Sequence, residues 1–425
     1  MSLRKNTLWN LIGGMLPLLA AALLIPYTLK TMGYEAFGVL TLIWALIGYF
    51  GLFDLGIGRS LTYEISKLKI SNQYSEIALT LKAGLYLTLV TGILGAILFW
   101  FLSPLFVKWL KISEVFQIDA ILAFKISALA IIPTTITSGL RGALEGFERF
   151  AASNLSKLLI GFSMFALPAL SISIHGPSIS KVATYLLIMR ILVVLFVFWQ
   201  MRLNFVEKSS KLNKQYFNKL FNYGFWVTVT GIVGPLMVYG DRFFISAIVG
   251  AAKLPLYAIP QEGLLRLFII PSAFCAALLP KLASLEKLEA IVLYNKSYKR
   301  VALLMLFICI LVASLAYPAL YWWMSPDFAQ KTIVIVLIMI FGVYINSLSL
   351  VPSTLLHARG KPKTTAIFHL IELGVYIPVL WVVTSYFGLI GAALSWVMRV
   401  LLDYVLIQIA VSKLNKTFYV NNLTN

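Results

Sequence analysis

The sequence predicts an all-α polytopic membrane protein with about 12 transmembrane helices, arranged as two six-helix lobes around a central cavity. Apolar residues make up 60% of the 425-residue chain, and the mean hydropathy is +0.90. They gather into successive runs of about 20 residues, the length that crosses about 30 Å of hydrocarbon. No loop between these runs is long enough to fold as a soluble domain, and runs such as 333–341 lack the alternation of a membrane β-barrel strand.

We assign one span to each apolar run, in chain order. The seventh run is too long for one straight crossing, so we expect it to tilt or break near Gly234 and Pro235. The predicted spans are 8–29, 36–58, 80–102, 117–139, 154–174, 179–200, 219–248, 256–280, 301–323, 331–355, 364–386 and 388–411.

Positive charge is distributed unevenly between the loops on the two sides. Of the 35 lysines and arginines, 24 fall on the side of the N-terminus, six on the opposite side and the rest inside spans. This positive-inside bias predicts that both termini are cytoplasmic. It accounts for the net charge of +19 without a nucleic-acid partner, since the basic loops would instead contact anionic membrane lipids.

The chain contains an internal repeat. The segment from Gly33, after the first span, matches the segment from Gly250, after the seventh, at an offset of 217. At an offset of 218, Arg141-Gly142 superposes on Arg359-Gly360. The repeat predicts an N-terminal six-helix lobe (1–201), a cytoplasmic linker (202–218) and a C-terminal six-helix lobe (219–425), both inserted in the same orientation because each has an even number of spans.

Three short motifs carry a family resemblance that extends over essentially the whole chain. They are Phe53-Asp54-Leu55-Gly56-Ile57-Gly58, the stretch Leu140-Arg141-Gly142-Ala143-Leu144-Glu145-Gly146-Phe147-Glu148-Arg149-Phe150, and Gly240-Asp241-Arg242-Phe243-Phe244-Ile245-Ser246. In order and spacing the chain resembles the Wzx-type polysaccharide flippases of the multidrug/oligosaccharidyl-lipid/polysaccharide exporter superfamily.

The resemblance implies a transporter without a cofactor, in the inner membrane of a bacterium. Its implied cargo is an undecaprenyl-pyrophosphate-linked oligosaccharide repeat unit, moved from the cytoplasmic to the periplasmic leaflet for O-antigen or other surface polysaccharide. A polysaccharide polymerase and a chain-length regulator are the implied protein partners.

Among the charged residues of the predicted spans, nine fall within apolar segments, where a lipid-facing charge costs at least about 2.5 to 3.5 kcal/mol. Glu262 with Arg266, and Arg399 with Asp403, stand at i,i+4 and can neutralise each other. Successive charges point about 100° apart on a helix and so need partners on other helices. The nine are Lys125, Arg190, Asp241, Arg242, Glu262, Arg266, Glu372, Arg399 and Asp403.

Removal of the two i,i+4 pairs and the successive charges leaves Lys125, Arg190 and Glu372 isolated. Arg190 is central in its span and cannot reach either interface, whereas Lys125 can extend to the periplasmic one. Glu372 is the isolated acid. Its carboxyl group either couples transport to protons or forms a hydrogen bond that packs two helices together.

Guanidinium and ammonium groups are the natural partners of a pyrophosphate in a low-dielectric cavity. The predicted substrate-binding residues are Arg190, Lys125, Arg242, Arg266 and Arg399. The predicted ion-coupling residues are Glu372, Asp241 and Glu262. Six aromatic residues could line the cavity and contact the sugars, or they pack against other helices or lie at the membrane interface. They are Trp226, Tyr239, Trp322, Trp323, Tyr344 and Trp381.

Two alternatives belong to other functional classes. A multidrug or cation antiporter of the same superfamily would need a net acidic cavity, whereas the isolated charges here lean basic. A polytopic polymerase or glycosyltransferase would need paired acids in a periplasmic loop, and the acids there are far apart. The three histidines, in three different sequence contexts, predict no metal site.

Overall fold

A computed structural model describes residues 3–201 and 214–423, and within these ranges the regular secondary structure is helical. The α-helices are α1 (Leu3–Tyr49), α2 (Ile57–Ile70), α3 (Tyr74–Trp109), α4 (Glu114–Leu129), α5 (Ile131–Gly146), α6 (Phe150–His175), α7 (Ile179–Met201), α8 (Lys214–Val249), α9 (Pro255–Leu265), α10 (Ile269–Ser284), α11 (Lys287–Trp323), α12 (Pro326–Ala358) and α13 (Pro362–Leu423).

Each of the twelve predicted spans has a helical counterpart. Nine segments of the described chain are long and apolar enough to cross a membrane. The last of them, Lys363–Leu414, has 52 residues. At about 1.5 Å per residue it measures about 78 Å, more than twice the hydrocarbon thickness. It therefore crosses twice, as does α1, and the break falls at Gly388 in α13 and at Gly33 in α1. The predicted fold class is confirmed.

The chain folds into two compact units, Met1–Phe243 and Phe244–Asn425. The break falls inside α8, which runs unbroken from Lys214, so the end of the predicted linker is helical. Residues 202–213 of that linker, and the side chains around the predicted break at Gly234 and Pro235, lie outside the part of the chain that the structure describes.

In the first unit, α1 packs against α6, α2 against α5, and α7 against α4, α5 and α6. An apolar core joins α2, α3, α5 and α7 through residues such as Leu61, Leu140 and Val197, which are fully buried. In the second unit, α12 contacts α9, α10, α11 and α13 and is the central helix. Each unit thus has its own interior.

Large apolar side chains face outward on both units, as expected for helices solvated by lipid. Phe101 and Leu303 are among the exposed ones, whereas small polar side chains such as Ser60, Thr88 and Ser347 are fully buried. Small polar residues between helices allow close packing where the hydrophobic effect cannot drive association.

The internal repeat appears in the backbone. Gly33 and Gly250 have nearly the same left-handed conformation, with φ of 78° and 88° and ψ of 168° and 155°. Gly176 and Gly388, which precede the last span of each unit, also have positive φ. The second span of each half of the repeat is interrupted by a 3-10 segment, at Phe50–Asp54 and at Arg266–Phe268.

The structure corrects one part of the predicted repeat. Arg359 and Gly360 follow the end of α12, with Gly360 at φ 70°. The residue in the same position after α5 is Glu148, at φ 62°, which gives an offset of 212. The predicted equivalence of Arg141-Gly142 with Arg359-Gly360 is wrong, because Arg141 and Gly142 lie inside α5.

Candidate functional site

Arg190, one of the predicted substrate-binding residues, lies in the middle of α7. Its side chain is buried, with 5% relative exposure, and its Nη1 donates to the carbonyl of Leu186 at 3.1 Å. Among the described residues, no carboxylate lies within 4.0 Å of its guanidinium. A buried guanidinium without an acidic partner is energetically costly unless it serves a ligand.

Lys125, on α4 of the same unit, has an aromatic partner. Its Nζ lies 5.3 Å from the ring centroid of Trp100 on α3. A cation over an indole face is stabilised by about 0.5 to 2 kcal/mol. Sequence reasoning treated Lys125 as isolated and missed Trp100, because a contact between two helices has no signal in local spacing.

Asp241 and Arg242 are both almost completely buried near the end of α8. Arg242 stacks over Tyr239 of the same helix, 5.1 Å from its ring centroid. Tyr49 of α1 lies close enough to both charges to interact with them electrostatically.

The predicted i,i+4 ion pair between Glu262 and Arg266 is confirmed. Glu262 Oε1 lies 2.5 Å from Arg266 Nη2, where α9 gives way to the 3-10 segment. The Arg266 side chain is 45% exposed, so the pair is partly open to its surroundings.

The second predicted pair, Arg399 with Asp403, does not form. The guanidinium of Arg399 lies 5.5 Å from the ring centroid of Tyr376. Asp403 instead faces His369, whose Nδ1 is 4.0 Å from Asp403 Oδ1. The same nitrogen lies 3.5 Å from the Glu372 carboxylate.

Glu372 is therefore not an isolated acid. One ligand-type atom each from His369, Glu372 and Asp403 lies within 4.8 Å of the others, and both carboxylates are buried. The expectation that each histidine stands in a separate context is also wrong here. His357, at the end of α12, lies 2.9 Å from the hydroxyl of Thr365. Thr365 precedes His369 by one helical turn, so two of the histidines lie near each other.

The fold brings these residues together because α13 reverses at Gly388. Past this residue, Gly391 packs so closely on the Val383 carbonyl that a Cβ would lie 2.1 Å from it, and the Ser395 hydroxyl reaches the Val379 carbonyl at 3.5 Å. The next turns of the antiparallel pair place Arg399 opposite Tyr376 and then Asp403 opposite Glu372.

A further buried acid, Asp54, was not among the predicted site residues. Its carboxylate accepts hydrogen bonds from the backbone N–H of Gly56, at 2.8 Å, and from the Ser138 hydroxyl. Gly56 directly precedes α2, so Asp54 stabilises the start of that helix. The two N-terminal family motifs therefore meet at a structural contact.

Glycines tighten the contact between the same two motifs. A Cβ on Gly142 of α5 would lie 1.9 Å from the Gly58 carbonyl oxygen. The Thr62 hydroxyl donates to the Gly142 carbonyl at 2.9 Å. Close backbone approach with an interhelical hydrogen bond is typical of packing in membranes.

The candidate aromatic residues have diverse surroundings. Trp322 is 86% exposed on the outer surface of α11, which fits the interfacial belt. Trp381 packs edge-on against Phe244. The side chain of Trp226 lies outside the described residues.

The chain matches the family model described as "Polysaccharide biosynthesis protein" over residues 3–286. It is 33% identical, over 413 residues, to the "Putative O-antigen transporter" of Shigella flexneri, covering 96% of this chain and 97% of the relative. It is 24% identical over 421 residues to the "Uncharacterized membrane protein EpsK" of Bacillus subtilis (strain 168), covering 92% and 79%.

Solved structures share the fold. An inward-facing multidrug resistance MATE family transporter of the MOP superfamily has a TM-score of 0.78 at 14% identity, with 95% of both chains covered. The lipid II flippase MurJ in an inward closed conformation has a TM-score of 0.77 at 15% identity, with 96% of this chain and 87% of that chain covered.

Twelve membrane-crossing segments in two units, with buried charges inside the spans, define a multi-pass transporter rather than an enzyme. Within that class, the chain belongs to the polysaccharide biosynthesis protein family, the Wzx-like group that the sequence motifs resemble.

Proposed function

We propose that the protein flips an undecaprenyl-pyrophosphate-linked oligosaccharide repeat unit from the cytoplasmic to the periplasmic leaflet of a bacterial inner membrane, for O-antigen or related surface polysaccharide. Family membership and the Shigella flexneri relative support this assignment. Transport would proceed by alternating access, in which the substrate site opens to one side of the membrane at a time.

The observation that carries the proposal is the buried guanidinium of Arg190. It has no acidic neighbour within ion-pairing distance among the described residues, and it donates to a single backbone carbonyl. An anionic pyrophosphate entering the membrane needs such a donor, and a planar guanidinium can bind two of its oxygens at once.

Four other cations would assist. Lys125 is held on Trp100, and its ammonium retains donors for a phosphate oxygen. Arg242 and Arg399 lie over tyrosine rings, and Arg266 is paired with Glu262. When the pyrophosphate binds, each arginine would either leave its present partner or contact that partner and the pyrophosphate together.

The same proposal assigns ion coupling to Glu372, Asp241 and Glu262. Asp241 and Glu262 stand beside arginines, whereas Glu372 lies among other titratable groups. Loss or gain of a charge at these positions would change the local field that an anionic cargo experiences.

The proposal also includes the predicted organisation of the chain. Both termini would be cytoplasmic, with a six-helix lobe in residues 1–201, a cytoplasmic linker in 202–218 and a second lobe in 219–425. A polysaccharide polymerase and a chain-length regulator would act on the flipped repeat unit.

An arginine series at position 190 tests the cargo assignment. In cells that depend on this protein for surface polysaccharide, export should fall in the order wild type, Arg190→Lys, Arg190→Ala, Arg190→Glu. Lysine keeps the charge but loses two-point geometry, alanine removes both, and glutamate repels the anion. Surface polymer is measured on gels, and membrane levels of each variant by immunoblot.

Lys181→Glu is the matched control, since Lys181 is an exposed lysine on the same helix. It should leave export near the wild-type level. Normal export by Arg190→Glu at normal membrane levels would contradict the assignment. Resistance to cationic drugs that depends on the protein, without any effect on polymer, would favour an antiporter instead.

A further inference from the structure

A second polar site lies inside the unit that comprises Phe244–Asn425. It consists of Glu372 and Asp403, facing each other across the α13 reversal, with His369 beside both. Glu372 follows the start of α13 by ten residues, which is about 15 Å along the helix and near the middle of a bilayer.

Two buried carboxylates this close repel each other strongly in a low-dielectric environment when both carry a negative charge. Glu372 is 1% exposed and Asp403 is 7% exposed. Glu372 Oε1 and Asp403 Oδ1 are buried and accept no hydrogen bond from the described residues. One proton between them would supply the missing donor and remove one negative charge.

The surroundings balance the charge that remains. Arg399, one turn from Asp403, supplies one positive charge and stacks on Tyr376. Ser349 of α12 faces Asp403, and His369 can supply a second positive charge when protonated. His357 of α12 is the other titratable neighbour of His369. With one shared proton and Arg399, the cluster is neutral when His369 is neutral.

Polar side chains also lead from the pair toward one end of the helices. His357, at the end of α12, is 2.9 Å from Thr365, which precedes His369 by one helical turn. His369 lies 3.5 Å from the Glu372 carboxylate. Arg359 and Lys361 flank this end, which the charge distribution assigns to the cytoplasm.

We infer that Glu372 and Asp403 form a single proton-binding site, loaded from the cytoplasmic end through His357, Thr365 and His369. The inference deepens the proposed function, since it names the ligand that would couple the transport cycle. When one proton is bound, the two carboxyl groups stay close together and share a hydrogen bond. Deprotonated, the two carboxylates repel each other across the reversal of α13, which gives the last two spans of the chain two distinct states.

Infrared spectroscopy of the purified full-length protein tests the site without any cargo. At neutral pH the wild type should show the C=O stretch of one buried protonated carboxyl. Glu372→Gln and Asp403→Asn should each abolish that band, because the shared site loses one of its two carboxyl groups. Glu145→Gln is the matched control, since this acid is already in an ion pair with Lys157, and it should leave the band unchanged.

His369→Gln tests the route. The band should persist, while its exchange from hydrogen to deuterium slows at least tenfold. An unchanged exchange rate would remove His369 from the path. The shared-proton site is wrong if the band is absent from the wild type, survives in either single amide variant, or disappears on addition of sodium.

A transport measurement separates the two proposals. Glu372→Gln should arrest polymer export at normal membrane levels. If the infrared result holds but the Arg190 series has no effect, the cargo assignment fails and the proton site remains. If the Arg190 series behaves as expected and the band is absent, only the proton site fails.

Discussion

At the scale of the residue, the buried arginines Arg190 and Arg399 differ in the groups that they contact. Both lie inside membrane spans and both are at most 9% exposed. Arg399 stacks on Tyr376, whereas Arg190 has a backbone carbonyl as its hydrogen-bond acceptor and no carboxylate nearby among the described residues. Arg190, the buried arginine without a nearby described carboxylate, therefore belongs to the first unit. The buried acids Glu372 and Asp403 belong to the second unit.

Asp54 provides a residue-scale prediction about stability. Asp54→Ala should lower the free energy of unfolding by about 1 to 3 kcal/mol, because the Gly56 N–H and the Ser138 hydroxyl lose their acceptor in a buried place. Thermal unfolding in detergent, followed by the loss of the monodisperse peak, measures the effect.

Asp327→Ala is the comparison variant. Asp327 pairs with Lys331, and both side chains are more than half exposed. An exposed ion pair contributes about 0 to 1 kcal/mol, so the midpoint should barely move. Equal losses in the two variants would mean that burial of Asp54 adds nothing.

At the scale of the element, the crossing of α2 and α5 depends on the absence of side chains. Gly58 and Gly142 allow the two backbones to meet, and Thr62 donates across the contact. In α13, Gly388 has a φ of 59° and a ψ of −136°, a conformation that L-residues rarely adopt. These two glycine-dependent features set which polar residues meet in each unit.

Gly142→Ala tests the helix crossing. The added Cβ would lie 1.9 Å from the Gly58 carbonyl, so the helices must separate and the Thr62 hydrogen bond must lengthen. We expect a loss of stability of about 1 to 3 kcal/mol, visible as a lower unfolding midpoint.

Gly263→Ala is the matched control for this prediction. Gly263 lies in α9, and nothing lies within 4 Å of the position its Cβ would take. Alanine is preferred to glycine in a helix by about 0.8 to 1 kcal/mol, so this variant should be equally or more stable. Similar destabilisation by both substitutions would contradict the role of close packing at Gly142.

At the scale of the whole molecule, the chain is two variations on one six-span pattern. Gly33 and Gly250 follow the first span of each half of the repeat in the same backbone conformation, and a 3-10 segment interrupts each second span. Their chemistry differs, since the break is next to Asp54 in one unit and at Arg266 in the other. One fold thus holds a buried arginine without a nearby described carboxylate, Arg190, in one half and the cluster of His369, Glu372 and Asp403 in the other.

Reporter fusions test the orientation of this pattern. Fusions after Lys214 and after Lys361 should give cytoplasmic signals, and a fusion after Ser325 a periplasmic one, because the basic loops remain inside. Alkaline phosphatase activity and green fluorescence report the two sides. A periplasmic signal at Lys214 would contradict an even number of spans before it.

The sequence by itself determined the membrane class, the twelve crossings and the family, because hydropathy, span length and motif order are properties of the chain. It also predicted the Glu262–Arg266 pair, since an i,i+4 spacing is local to one helix.

Only the tertiary structure decided that Asp403 faces Glu372 and His369 rather than Arg399, and that Trp100 covers Lys125. These contacts depend on how α13 reverses at Gly388 and on how α3 and α4 pack. The register between two helices is set by close packing of residues far apart in the chain, and local spacing does not encode it.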